Sequence, residues 1–325
     1  MKKIVFVVFL LVLTLTPLFS NDANTKQCDG LSKKRFRIDQ ENRIDVKKPL
    51  NVFVNVCELI DRVKIEGVEN NTIDVKADVR LHLKTNINNL TVDVKRKGDD
   101  IFIETNHYPY DVRLRYCDKK GGGEIEISLP RKNIKLFVFK GLKTEFVCKN
   151  IKVNTLKLKT KYKDINVKDS DFKKLSVKTF NGDVIVSNSN AKDFSVFGGF
   201  GEVFLENVQP ENLYVSLLSG DFETFGLMEL KKGVITTTFG DIRIDLKSFS
   251  SVFLKTISGD IDLGVINPQR VRFNCKTERG DFLFKYTRTK PPLPENGILK
   301  SGKGDYPEIS VNSVSGDIIL RELRN

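Results

Sequence analysis

The stretch LKTISGDIDL, residues 254–263, decides the fold of this 325-residue chain. Apolar residues stand at every second position on both sides of its central Gly259-Asp260 pair: Val252 and Leu254 precede the pair, and Ile261 and Leu263 follow it. Spacing by two is the period of a β-strand, in which alternate side chains face one side. Gly and Asp are turn residues. The stretch therefore predicts two strands joined by a tight turn.

The same pattern recurs through the second half of the chain at a nearly fixed step. Six units carry the dipeptide, at Gly182-Asp183, Gly220-Asp221, Gly240-Asp241, Gly259-Asp260, Gly280-Asp281 and Gly316-Asp317, and Gly201-Glu202 marks a seventh. The glycines are 19, 19, 20, 19, 21 and 36 residues apart. The apolar frame continues upstream to Lys163 and Thr144, where the glycine is absent, so nine units begin at Phe137. Such a period indicates stacked supersecondary units.

Units of this length are too short for a βαβ crossover, which needs roughly 30 residues. The repeat therefore predicts an all-β fold, a parallel β-solenoid (β-helix) with coils of about 19–20 residues. The crossover rule favours right-handed winding. Equivalent residues of neighbouring coils then stand in columns ~4.8 Å apart. A column of small hydroxyl residues precedes the turn, and its side chains are expected to bond the neighbouring coil's backbone.

The Gly-Asp column is interpreted as structural, with each carboxylate accepting backbone N–H groups of its turn. Stacked carboxylates also suggest a calcium site as an alternative. Each turn, however, supplies one carboxylate rather than a cage of ligands. We therefore expect no metal and no cofactor at this column.

The chain divides into three parts. Residues 1–20, with Lys2 and Lys3 before an apolar run, predict a signal peptide, and a retained signal anchor is the alternative. Residues 21–136 contain short alternating runs and predict β-rich, less regular coils or a cap over the open end of the rod. Residues 137–325 hold the regular repeats, with a loop insertion near residues 288–308.

Five cysteines and two histidines offer little for a metal or catalytic site. Cys148 and Cys275 occupy inward positions of the repeat and are expected to be free and buried. The sequence allows one disulfide among Cys28, Cys57 and Cys117, and its partners cannot be assigned from the sequence. His82 and His107 lie outside the repeats, so neither a zinc site nor a Ser-His-Asp set is expected.

Positive charge is concentrated at the start of the regular repeats. The chain carries a formal net charge of +12, and residues 131–179 hold 15 Lys and Arg against 4 acidic residues. The repeat frame stacks Lys140, Lys159 and Lys178 in one column and Lys149 and Lys168 in another. These five lysines predict a basic face for an anionic glycan, an envelope polymer or an anionic membrane surface. A solubilising surface is the alternative, and nucleic acid is the weakest candidate ligand because no nucleic-acid motif is present.

The repeated unit resembles those of the putative-adhesin β-solenoid family, secreted bacterial proteins of unknown function with distant eukaryotic relatives. The resemblance is carried by the unit at residues 254–263, by Leu129-Pro130 before the first coil, and by residues 302–307 before the last. It is close over residues 130–325 and loose over residues 30–130. It implies a β-solenoid at the cell envelope or surface and implies no catalytic residues.

We therefore expect a non-catalytic, exported protein, in the periplasm, at the cell surface or outside the cell, that acts as a structural or adhesin-like binding module. The alternative is a glycan-active β-helix enzyme, a polysaccharide lyase or hydrolase. Such enzymes need carboxylates that converge on one groove. Here the acidic residues belong to a column that repeats once per coil. Protein partners cannot be named from the sequence.

Overall fold

The computed structural model describes residues 34–83, 90–106, 120–287, 291, 294–301 and 305–324. These residues form strands almost throughout, with a short 3-10 turn at Pro268–Arg270, which confirms the all-β prediction. The strands are β1 (Lys34–Asp45), β2 (Leu50–Asn55), β3 (Arg62–Val68), β4 (Thr72–Leu83), β5 (Val92–Lys97), β6 (Asp100–Thr105), β7 (Lys120–Pro130), β8 (Ile134–Lys140), β9 (Glu145–Lys149), β10 (Lys152–Lys159), β11 (Ile165–Lys168), β12 (Asp171–Lys178), β13 (Val184–Ser187), β14 (Asn190–Phe200), β15 (Val203–Glu206), β16 (Asn212–Ser219), β17 (Phe222–Phe225), β18 (Met228–Phe239), β19 (Ile242–Lys255), β20 (Ile261–Ile266), β21 (Arg272–Thr277), β22 (Phe282–Lys285), β23 (Ile298–Ser301), β24 (Glu308–Ser313) and β25 (Ile318–Leu323). The predicted signal peptide, Cys28, Cys117 and His107 lie outside the described residues.

Equivalent strands of successive units pair in parallel at the step read from the sequence. Strand β10 pairs with β8 and β12, and β11 pairs with β9 and β13. The register is one repeat, since Leu175 pairs with Phe194 and Phe194 pairs with Leu213. We call the file β8, β10, β12, β14, β16 and β18 the long-strand layer, and the file β9, β11, β13, β15 and β17 the short-strand layer. Strand β19 belongs to both, because its first part pairs with β17 and its second part with β18.

Both layers contribute to one core. The inward side chains of β10 and β11 are at most 4% exposed; they are Val153, Leu156, Leu158, Ile165 and Val167. The rings of Phe139 on β8 and Phe146 on β9 lie 4.8 Å apart between centroids, so the inner faces of the layers are in contact. Full burial of each such side chain contributes about 1.5–3 kcal/mol. The alternation of apolar and polar residues therefore fixes which face of each strand points outward.

The N-terminal region continues both layers, but in a different order from the chain. Strand β2 lies between β6 and β8, and β3 lies between β7 and β9. The pair β6 and β7, which follows β2 and β3 in sequence, thus stands one step further from the regular coils. Antiparallel strands cover this end: β5 pairs with β6, β4 with β7, and β1 with β4.

The C-terminal end also departs from chain order, and here the simple sequential stack predicted from the repeat is wrong. Strands β24 and β25 lie between the unit of β19 and β20 and the unit of β21 and β22. The last unit of the chain is therefore not the last of the stack. A repeat frame identifies equivalent positions but not stacking order, and the 36-residue step between Gly280 and Gly316 is long enough for the chain to pass the end coil and return.

The ion pairs of Arg321 hold this inserted unit in place. Arg321 on β25 bonds Asp262 on the neighbouring β20, and its Nη2 lies 2.6 Å from Oδ1 of Asp245, two strands away. The predicted loop insertion near residues 288–308 is only partly described, and it contains β23, which pairs antiparallel with β21. Part of the insertion thus extends the sheet beyond the end coil.

Candidate functional site

The Gly-Asp column is a ladder of hydrogen bonds between coils that is interrupted at one step. In six of the seven steps between adjacent coils, the backbone N–H of an acidic residue donates to Oδ1 of the Asp in the neighbouring coil. The N–O distances lie between 2.7 and 3.0 Å, for Asp183 to Asp164, Glu202 to Asp183, Asp241 to Asp221, Asp260 to Asp241, Asp317 to Asp260 and Asp281 to Asp317. The carboxylates therefore join neighbouring coils. The sequence had suggested instead that each carboxylate caps its own turn.

The hydroxyl column supports the same edge from inside. Thr237, Thr256 and Thr277 are buried, and each donates from Oγ1 to the carbonyl oxygen of a turn glycine in the neighbouring coil, at 3.1–3.2 Å. This confirms the expected bond for these three threonines, whereas Oγ1 of Thr179 and Oγ of Ser313, in the same column, have no hydrogen-bond partner among the described residues. The Gly-Asp column and the hydroxyl column both form hydrogen bonds between coils, which gives the repeated residues a structural role.

Glu202 is the exception in the acidic column. The missing step of the ladder is the one after it. Apart from Glu202 and from Asp281 at the end of the stack, every member accepts the N–H of the next coil at Oδ1. Partial burial raises the pKa of the Glu202 carboxyl, and the neighbouring charges of Asp183 and Asp221 raise it further. The column thus carries an unfavourable charge at this one coil.

The second turn of each coil, which leads from a short strand into the next long strand, was missed by the sequence analysis. Asn150, Asp169, Asn188 and Asn207 all have positive φ, between 48° and 61°. Nδ2 of Asn188 donates to Asp169 Oδ1 at 3.3 Å, and Nδ2 of Asn207 donates to Asn188 Oδ1 at 3.2 Å. Asn and Asp tolerate this left-handed conformation. Their recurrence six residues after each turn glycine position was a readable signal.

The structure divides the five predicted lysines between the two layers. Lys140, Lys159 and Lys178 are aligned on β8, β10 and β12, all exposed, and we call them the lysine ladder. Lys149 and Lys168 are aligned on β9 and β11. The core separates the outward faces of the layers, so one basic face of five lysines is wrong. All five side chains were correctly predicted to point outward, but the two columns of lysines lie on different strands of each coil.

A second group of cations lies on the long-strand layer, at the opposite end of the strands from the lysine ladder. A groove of about 440 Å³ opens where the long strands begin, and its lining contains Arg131, Lys132, Lys135, Lys152 and Lys173. Asp171 is the acidic residue among its described lining residues. Arg131 is partly neutralised by Glu69, at 2.8 Å. These cations belong to the basic segment of residues 131–179, but the repeat frame alone does not bring them together in a groove.

Exposed aromatic residues lie next to Lys178, the last residue of the lysine ladder. We call Tyr162, Phe180, Phe197, Phe200 and Tyr214 the aromatic patch; they are 39–46% exposed. Ring centroids lie 6.3 Å apart for Tyr162 and Phe180, 5.5 Å for Phe180 and Phe200, and 5.2 Å for Phe197 and Tyr214. The repeat frame puts Phe197 and Tyr214 at outward positions, so this patch was also readable from the sequence.

Lysine ammonium groups lie over these rings. Nζ of Lys161 is 4.9 Å from the centroid of Tyr162 and 5.9 Å from that of Phe180. Nζ of Lys178, the last residue of the lysine ladder, is 5.4 Å from the centroid of Phe197. Cation–π contacts of this kind hold the ammonium groups at the surface of the patch.

Elsewhere the described residues offer less. A larger cleft of about 930 Å³ near the N-terminal end mixes acidic and basic residues, and Arg62 and Glu145 in it are paired at 2.7 Å. Within the described ranges, no group of three His, Cys, Asp or Glu side chains is placed to hold a metal ion. Cys57, Cys148 and Cys275 are free and buried, as expected for the last two, and burial raises the pKa of Cys148 and of Cys275 to about 12. No helix in the described part of the chain is long and apolar enough to cross a membrane.

Comparison with solved structures finds matches at low identity. A putative adhesin from Bacteroides fragilis is 14% identical, with 90% of this chain and 99% of that chain covered and a TM-score of 0.42. A putative adhesin from Parabacteroides merdae is 12% identical, covering 88% and 96%, with a TM-score of 0.47. A protein from Parabacteroides distasonis described as a putative lipid binding protein is 13% identical, covering 86% and 96%, with a TM-score of 0.39.

No curated protein matches the chain. The family model described as Toastrack DUF4097 matches residues 60–321, which is most of the chain and includes both layers, the lysine ladder and the aromatic patch. The resemblance drawn from the repeated unit is thereby confirmed. The chain belongs to the Toastrack DUF4097 family.

Proposed function

We propose that this chain is a non-catalytic, adhesin-like binding module, exported to the cell envelope or surface, whose units wind as a right-handed β-solenoid. Its ligand is an anionic polymer, bound on the outward face of the long-strand layer. The lysine ladder carries this proposal. Like charges directly opposite one another on neighbouring strands are destabilising. The ladder therefore costs stability in isolation and becomes favourable when an anion lies along it.

The surroundings of the lysine ladder support the same ligand. In the described part of the chain, Lys140, Lys159 and Lys178 form no ion pair with an acidic residue, so their ammonium groups are available to a ligand. The groove lined by Lys132, Lys135 and Lys152 lies on the same layer and extends the positive surface across it. A ligand with repeated anionic groups can meet both.

The acidic column supports a binding rather than a catalytic role. Each Asp from Asp164 to Asp317 that accepts an N–H of the neighbouring coil is already engaged in holding the coils together. A general acid or base must instead be free to reach the substrate proton. These carboxylates are therefore assigned to the fold.

The test is the binding of heparin and of linear polyphosphate to purified protein, measured by isothermal titration calorimetry at low ionic strength. We expect Lys140→Gln, Lys159→Gln and Lys178→Gln together to weaken both ligands about tenfold, since three exposed charge contacts contribute ~0.5 kcal/mol each. Rising salt should weaken binding by the wild type in the same direction.

The matched control removes three lysines from short strands: Lys149→Gln and Lys168→Gln in the short-strand layer, and Lys285→Gln at the same repeat position on β22. It lowers the net charge by the same amount, so a ligand that senses only total charge would lose affinity equally in both variants. The proposal requires the control to bind within about twofold of the wild type. Equal losses in the two variants, or no binding by the wild type, would refute it.

A further inference from the structure

We propose that the anionic polymer is an acidic polysaccharide, whose sugar rings pack on the aromatic patch while its carboxylate or sulfate groups pair with Lys161 and the lysine ladder. This inference rests on the proposed function and narrows its ligand class. A sugar ring has an apolar face of C–H groups that packs on aromatic side chains, as well as polar groups at its rim. The aromatic patch and the lysines next to it offer a partner for each.

Burial and charge distinguish the patch from ordinary surface aromatics. Five aromatic side chains, each 39–46% exposed, lie on four neighbouring coils. Clusters of large exposed apolar groups usually mark a binding surface. Lys161 and Lys178 stand at the rings, as described above, so apolar and cationic surfaces meet within single contacts. The occupant must therefore combine apolar faces with negative charge.

The repeat itself is interrupted at this place. The hydroxyl column, which holds Thr179 in one coil and Thr237 further on, is broken by Gly198 and Leu217. A Cβ at the adjacent Gly199 would lie 2.6 Å from the carbonyl oxygen of Phe180 and 3.1 Å from its ring atom Cδ2. The absence of a side chain at Gly199 thus leaves room for the Phe180 ring. Gly198 in turn makes room for Leu217, since a Cβ at Gly198 would lie 2.6 Å from Leu217 Cδ2.

Ring orientation favours a glycan over a single-stranded nucleic acid. Bases stack flat on aromatic faces, and successive bases need a series of accessible faces. Here the planes of Tyr162 and Phe180 meet at 88° and those of Phe180 and Phe200 at 79°. A single sugar ring needs only one accessible face, and its carboxylate can pair with the ammonium group of Lys161 or Lys178 beside it.

The experiment compares three polyanions of matched charge number: oligogalacturonate, linear polyphosphate and oligothymidylate. The variant carries Phe180→Thr, Phe197→Ser and Tyr214→Ser, which are the residues found at the same repeat positions in other coils, at Thr238, Ser216 and Ser195. These replacements suit the local backbone, and thermal unfolding checks that the fold is retained. The control variant removes apolar side chains from the short-strand layer in the same way, with Ile185→Asn, Phe204→Asn and Phe225→Ser.

We expect the wild type to bind oligogalacturonate most tightly. The aromatic variant should lose about tenfold of that affinity and change polyphosphate binding by less than about twofold, since aromatic contacts act on the ring and not on the charge. The control should bind like the wild type. Equal binding of polyphosphate and oligogalacturonate by the wild type, unaffected by the aromatic variant, would overturn this inference and leave the proposed function standing. Tightest binding of oligothymidylate would overturn it in favour of nucleic acid, and binding of none of the three would remove the proposed function as well.

Discussion

At the first turn of the coils, five glycines adopt φ between 137° and 153°, whereas at the second turn Asn150, Asp169, Asn188 and Asn207 adopt φ between 48° and 61°. Both turns reverse the chain between the same two layers, and both join neighbouring coils by side-chain hydrogen bonds. At the first turn a carboxylate accepts a backbone N–H, and at the second an amide donates to the side chain of the coil before. The two edges differ in how much choice the backbone leaves to the sequence.

The first turn leaves little choice because its coils approach closely. A Cβ at Gly220, Gly240, Gly259 or Gly316 would overlap the carbonyl oxygen of the neighbouring turn glycine. At the second turn the left-handed conformation is open to Asn and Asp, and Gly226 occupies the equivalent position of a later coil with φ of 93°. Substitutions at the two edges should therefore have very different costs.

The largest effect is expected from Gly259→Ala. The new Cβ meets the carbonyl oxygen of Gly240, and an L-residue at φ of 150° is strained. We expect a loss of about 3 kcal/mol or more in the free energy of unfolding, measured by urea denaturation. Ser258→Ala, one residue away, serves as the control and should cost less than ~0.5 kcal/mol. A small loss for Gly259→Ala would mean that the coils can separate at this edge.

A smaller loss is expected from Asn188→Ala at the second turn. The variant keeps a side chain in the left-handed region but loses the hydrogen bonds to Asp169 and Asn207. We expect a loss of about 1–2 kcal/mol in the free energy of unfolding. Asn188→Gly separates the two causes, because glycine removes the backbone strain and not the lost amide bonds. If the two variants are equally destabilised, the amide ladder and not the backbone governs this edge.

A gain in stability is expected from Glu202→Asp. The shorter side chain matches the other members of the column, so its Oδ1 can accept the backbone N–H of Asp221 and complete the seventh step of the ladder. One added hydrogen bond is worth about 0.5–1.5 kcal/mol in the free energy of unfolding. The same change at Glu206, an exposed acidic residue outside the column, should have no such effect. Destabilisation by Glu202→Asp would contradict the ladder as the source of stability at this edge.

The smallest effect is the pH dependence of Glu202. Its pKa in the folded protein is raised above 4.5, so the folded state holds the proton more tightly than the unfolded state. The contribution of Glu202 to stability is therefore greatest below pH 4.5 and is lost as the pH rises through the folded pKa. Glu202→Gln should be more stable than the wild type at pH 7, by less than ~1 kcal/mol because the group is exposed, and the difference should shrink at pH 4. A difference that grows on acidification would contradict the assignment.

The two turns differ in how clearly the sequence marks them, and this explains how much of the fold could be predicted. Gly-Asp pairs are rare enough to mark a period, and Leu254 and Ile261 beside them gave strand direction and burial. The Asn and Asp residues of the second turn are common in any loop, so their recurrence was overlooked. The repeat could not predict the stacking order of the last coils. Gly316 and Gly280 occupy equivalent positions, and only the long-range pairing of strands decides which coil lies outermost.

The candidate site was read in part. Lys140, Lys159 and Lys178 were predicted to align, and they do. Lys149 and Lys168 were assigned to the same face because outward positions of the two strands were not distinguished, although a turn and the core lie between them. Phe197 and Tyr214 occupy outward positions of the same frame, but an aromatic residue in a strand is usually buried, and composition alone gives no reason to treat it as exposed.

The most direct test of the account is lysine footprinting of the wild-type protein by brief acetylation, with and without saturating heparin, read by mass spectrometry. Each lysine reports on its own exposure, so the two layers are compared within one molecule. The account predicts that Lys140, Lys159 and Lys178 are protected by the ligand while Lys149 and Lys168 react at unchanged rates. Equal protection on both layers, or protection confined to Lys149 and Lys168, would contradict it.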